Sequence, residues 1–91
     1  MTMPIISMFY WIIISLYYFD NNQHSLPHIH VKYQEEEVVI NILTSEILNG
    51  SIRANKLKLV LAWIEIHKDE LIADWSLAIK WEEVFKIDPL K

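Results

Sequence analysis

The chain has 91 residues, 53% of them apolar, with 4 Trp, 4 Tyr and 3 Phe; 8 Lys plus Arg against 12 Asp plus Glu leave a formal net charge of −4. This length makes one domain, residues 1–91, and the composition excludes a disordered, collagen-like or linker-like chain. The acidic balance argues against a free-standing nucleic-acid grip of the usual basic kind. The absence of Cys excludes disulfides and thiolate metal sites, so any zinc would need His and carboxylate ligands.

Residues 3–19 carry no charge. A membrane-spanning helix needs about 20 apolar residues, and a signal peptide needs a basic start and a small-residue cleavage site. The 17 uncharged residues are at the lower limit for a span, and the start has neither a basic residue nor such a site; Ile12, Ile13 and Ile14 with six flanking aromatics favour buried strands over the alternatives of a membrane segment or an interface-seeking strand. Two strands are expected over 5–9 and 11–19, or one long bent strand. Residues 20–27 read as a polar loop. Residues 28–33 alternate polar and apolar, the period of a half-buried strand with Ile29, Val31 and Tyr33 inward. A turn at 34–36 leads to a strand over 37–43, with Val38, Ile40 and Ile42 on one face. A short strand over 46–48 is expected to end at Asn49-Gly50, a strong turn dipeptide.

The period then changes. Leu57, Val60, Leu61 and Ile64 follow helical spacing within 53–67, with Ser51 or Asn55 as candidate cap. A second helix follows, with Asp69 as cap and Leu71, Ile72, Trp75, Ala78 and Ile79 inward. Residues 86–91 read as an extended tail. Strands followed by helices define an α+β domain, a small antiparallel sheet of four to five strands packed against one or two C-terminal helices.

Three of the 4 His lie within seven residues: His24, His28 and His30. Strand residues two apart share a face, so His28, His30 and Lys32 fall opposite Ile29, Val31 and Tyr33. His24 can fold back from the loop onto that face, with Asp20 and Glu37 as nearby carboxylates. Four readings are open. The face can be merely solvated. His24, His28 and His30 can ligate a zinc-like divalent metal. The same histidines with Lys32 can do metal-free acid–base chemistry, such as RNA cleavage, with Lys32 steadying the phosphate. The cluster can also form a pH-sensitive binding surface. His67, at a helix end, fits a dipole-capping role. Arg53, Lys56 and Lys58 make a small basic group at a helix start. Trp63 and Trp75 read as core, whereas Trp81 among Lys80, Glu82 and Glu83 suits a protein interface.

These residues resemble the small bacterial proteins grouped as domain of unknown function 4160. That family typically starts with Met-Pro and an apolar strand, carries D-H-x-P-P-H-F-H-V-x-Y, and ends in Ile-x-Pro-Leu. Here Met3-Pro4 matches the start, which makes Met1-Thr2 an extension. Gln23-His24-Ser25-Leu26-Pro27-His28-Ile29-His30-Val31-Lys32-Tyr33 matches the central segment. Trp63 and Trp75 match the helices, and Ile87-Asp88-Pro89-Leu90 matches the end, so the resemblance spans 3–90. Gln23 replaces the usual Asp, Leu26 the first Pro, and Trp11 stands where Gly is common. Gln23 brings no charge to a metal. The resemblance implies a cytoplasmic bacterial protein from a two-gene, toxin–antitoxin-like arrangement. Its implied partner is a small protein encoded by the adjacent gene, with nucleic acid reached only through that complex. A homo-oligomer is a further option. A ribonuclease or metal-dependent hydrolase built on His24, His28 and His30 is the alternative.

Overall fold

The computed structural model describes residues 4–17 and 26–91. Five strands come first: β1 (Ile5–Phe9), β2 (Ile12–Ser15), β3 (His28–Tyr33), β4 (Glu36–Asn41) and β5 (Ile47–Ser51). Two helices follow, α1 (Ala54–Ile66) and α2 (Lys68–Ala78). The strands form one antiparallel sheet in sequence order, so the domain is α+β, with five strands and two C-terminal helices.

The period-2 pattern sets one face of the sheet against the helices. Phe9, Ile12, Ile14, Ile29, Val31, Val38 and Ile40 lie on that face and are buried with Val60, Trp63 and Ile64 of α1 and Leu71 of α2. The Trp63 ring lies 5.5 Å from that of Phe9. Its indole N–H donates to the Asp88 carbonyl at 2.8 Å. The segment after α2 returns to the outer edge of β1, where the Ile87 N–H donates to the Ile6 carbonyl at 2.8 Å. One edge of the sheet is thus closed by the chain itself.

Several boundaries differ from those expected. The apolar run over 11–19 is not one strand from Trp11. Tyr10 and Trp11 form a two-residue turn between the paired residues Phe9 and Ile12. Both have positive φ, 50° and 66°, as the tight hairpin turns that match strand twist require. Gly or Asn usually occupies such positions, so aromatic residues concealed the turn. Asn49-Gly50 is not a turn but lies inside β5. Gly50, at φ 74°, pairs with Val38, and a Cβ there would approach the Glu37 carbonyl oxygen to 2.3 Å. Its glycine is required by close strand contact, not by chain reversal.

Neither Ser51 nor Asn55 caps α1. Arg53 occupies the N-cap without a side-chain bond, and its guanidinium and backbone N–H both donate to Glu36. These bonds hold the Glu36 carboxyl below the usual carboxylate range. His67 alone separates the helices and takes the N-cap of α2; Asp69 sits in the first turn instead. Ile72 and Ile79 are exposed, and Asp74 takes an inward place with Leu71, Trp75 and Ala78.

The α2 terminus uses another left-handed residue. Glu82 N–H donates to the Leu77 carbonyl and Trp81 N–H to the Ala78 carbonyl, with Trp81 at φ 61°. This is a Schellman-type stop, built on Trp where Gly is customary.

Gly50→Ala is expected to destabilise the domain by at least about 1–2 kcal/mol, from left-handed backbone cost plus the clash with Glu37. Urea unfolding of the two proteins measures it; an unchanged midpoint would contradict the assigned β5 geometry.

Candidate functional site

The outer face of the sheet carries the chemistry-bearing residues. Register places Ile13 beside Lys32, Ser15 beside His30, and Lys32 beside Glu37. On this face a shallow cleft of about 240 Å³ is lined by Ile5, Ile13, Ser15, Tyr17, His30, Val31, Lys32 and Glu37. Its walls are mostly apolar, with Lys32 and Glu37 at one end, 4.0 Å apart and both well exposed. The volume lies under the roughly 300–1,000 Å³ of typical small-molecule sites.

The three predicted strand residues do share this face, but they meet different environments. His28, the first residue of β3, is 0% exposed. Its Nδ1 lies 2.8 Å from the Leu26 carbonyl oxygen. A carbonyl can only accept, so Nδ1 carries the hydrogen and donates. The His28 ring packs against Trp75 of α2 at 5.1 Å and against His30 at 5.0 Å, edge-on. His30 is half-buried and stacks on Tyr17, with ring centroids 4.2 Å apart and planes at 9°. The Tyr17 hydroxyl and His30 Nδ1 are 3.3 Å apart, a hydrogen bond whose direction follows the imidazole tautomer. Lys32 stands in solvent. The face therefore runs from fully covered at His28 to open at Lys32.

His24 lies outside the described residues, as do Asp20 and Gln23. Among the described residues, no group of three or more His, Asp or Glu side chains is placed to hold a metal ion. His28 and His30 supply two imidazoles, and His28 uses one ring nitrogen on a backbone carbonyl.

Sequence reasoning did not single out Tyr17 and Ser15 for the site. Both follow from the period of two beyond Ile13, and only the missing β2–β3 register hid them. The contact between Trp75 and His28 bridges distant segments and had no local signal. Of the basic residues at the start of α1, Arg53 and Lys56 lie over the Tyr33 ring, at 4.9 and 5.0 Å, while Arg53 and Lys58 remain exposed.

An α+β sheet with one covered face and one open, partly apolar face defines the class of this domain. The family model described as Domain of unknown function (DUF4160) matches residues 12–76, and the chain belongs to that family. No curated protein and no solved structure matches the chain. No helix among the described residues is long and apolar enough to cross a membrane.

One titratable group away from the cleft is set by burial. Asp74 is 3% exposed; its Oδ1 accepts the Phe85 N–H at 3.0 Å, and its Oδ2 is buried with no hydrogen-bond partner among the described residues. Burial raises the carboxyl above the ordinary 3.8, against the Phe85 bond, and nearby Glu70 adds to the rise. An acid raised in the folded state favours folding while protonated. That contribution is complete below the unfolded value and is lost as pH climbs through the folded value. Asp74→Asn keeps the acceptor for Phe85 and removes the buried charge. Its melting temperature is expected to exceed the parent's at pH 7, with the gap closing on acidification towards 3.8. A gap that widens in acid would refute this account.

Proposed function

We propose that this protein is a protein–protein interaction module, one component of a toxin–antitoxin-like two-gene pair, that binds the small protein encoded beside it. One observation carries the interaction reading: Trp11 is 83% exposed at the tip of the β1–β2 hairpin, on backbone that costs a bulky residue about 1–2 kcal/mol. Strained, solvent-facing aromatics persist where something other than stability selects them. Tyr10, Met8 and Ile5 extend the same apolar surface, and Trp and Tyr are the residues that most often dominate interface energies. The net charge of −4 fits a protein partner better than unaided contact with RNA.

A second reading keeps the histidines as chemistry. Its support is the cleft itself, where His30 and Lys32 share one wall near Glu37. In that reading His30, whose Nε2 is buried, moves the proton through the Tyr17 hydroxyl bonded to its Nδ1, and Lys32 steadies developing phosphate charge, while covered His28 orients the site without meeting substrate. Removing His28 would open a cavity in the fold, so the diagnostic pair is His30→Ala and Lys32→Ala.

Co-expression with the adjacent gene tests both readings. A stable complex is expected, weakened at least about tenfold by Trp11→Asn and left intact by His30→Ala. No complex on co-expression would sink the interaction reading. RNA cleavage by the purified chain, lost in His30→Ala at unchanged melting temperature, would establish the second.

A further inference from the structure

We propose that residues 82–91 form a releasable strap, which lifts from the domain as a unit while the sheet and both helices stay folded, and so decides when the outer edge of β1 is open to pairing. The proposal is independent of what the hairpin tip binds.

The strap is held at a few points. It has no regular structure, and of its ten residues Ile87 alone is buried, with Val84 and Leu90 half-buried. Among the described residues, three hydrogen bonds beyond its root tie it down, each to a different element. Phe85 N–H donates to Asp74 of α2 at 3.0 Å, Ile87 N–H donates to the Ile6 carbonyl of β1 at 2.8 Å, and the Asp88 carbonyl accepts from Trp63 of α1 at 2.8 Å. The bonded groups fall within residues 85–88, so a shift that breaks one strains the other two. That spacing makes release all-or-none.

The closed position is imperfect. One cleft of about 330 Å³ lies between residues 5–8 and 86–89, and another of about 410 Å³ lies between the start of β1 and residues 82–84 with Lys86. In the first, Ser7 is buried with its hydroxyl unpartnered among the described residues, so the closed arrangement hides a polar group that it does not satisfy. Asp74 Oδ2 is hidden in the same way, beside the oxygen that anchors Phe85. Just before the strap, Trp81 sits at φ 61°, on left-handed backbone that a bulky residue holds at a cost and that extension releases. Segments with few buried contacts and incompletely satisfied polar groups open well below the free energy of global unfolding.

What the strap covers gives its release a consequence. β1 is the outermost strand of the sheet, and its Ile6 carbonyl is given to Ile87. Open strand edges template the addition of further strands, and folded proteins keep them blunted or covered. A cover that lifts without unfolding makes this edge conditional instead of permanently closed.

Native-state hydrogen exchange on the full-length chain tests the strap. The Phe85 and Ile87 amides are expected to show equal protection, at least about a hundredfold below that of the amides of central β3. Ile87→Ala, which trims the strap's one buried side chain, should speed both amides at least about tenfold. Asp74→Asn should slow both, since the closed strap then hides no charge while Phe85 keeps its acceptor. Trypsin under native conditions should cut first after Lys80 or Lys86, leaving Arg53 and Lys58 intact, and the clipped protein should keep the circular dichroism of its sheet and helices. Phe85 and Ile87 amides as protected as those of β3, unequal protection of the two, Asp74→Asn exchange no slower than wild type, or a clip that unfolds the sheet would each overturn the proposal.

Discussion

The indole of Trp63 is the point through which the rest of the fold is connected. Its ring lies against Phe9 of the first hairpin and near His67 at the helix junction, and its N–H reaches the Asp88 carbonyl. Sheet, both helices and the C-terminal segment thus converge on one fully buried side chain. A small domain has little core to spare. Here one large residue both fills the interior and satisfies a backbone acceptor of a segment that has no regular structure of its own.

The outer face of the sheet is graded, and the gradient decides what chemistry it supports. His28, His30 and Lys32 lie on one side of one strand, yet the first of them packs against Trp75 of α2 and is fully buried. An imidazole with its Nδ1 committed to a carbonyl and its ring covered is a structural group. Two equal histidines working as an acid–base pair do not fit this arrangement, although alternation along the strand placed them together.

What was legible in the sequence was periodic. Alternation at 28–33 assigned β3 and its inward side, and spacing at Leu57, Val60, Leu61 and Ile64 assigned α1. The turn at Gln34 was legible as well, but those at Tyr10-Trp11 and Trp81 were not, for a specific reason. With a single glycine in the chain, left-handed positions fall to Tyr10, Trp11, Gln34, Ser45 and Trp81 among the described residues. The usual turn residues therefore fail to mark them, and the one Asn-Gly pair marks a strand instead. Asp74 was missed because nothing around it in sequence distinguishes a carboxylate facing inward from one facing water; the difference is made by Phe85, eleven positions on. His24, a member of each chemical reading of the cluster, lies outside the described residues, so the candidate site is legible only in its strand-borne half.

The bond between Ile87 and Ile6 has a consequence for the timing of folding. The outer edge of β1 is closed by a residue 81 positions further along the chain. During synthesis β1 presents an apolar, unpaired edge until that segment has been made, and the hairpin with β2 is its early protection. Long-range closures of this kind slow folding and leave strand edges open to other nascent chains. The unfavourable tight turn at Tyr10 and Trp11 therefore has an early task, to pair β1 with β2 at once and in register, long before Trp63 and Asp88 exist to complete the core.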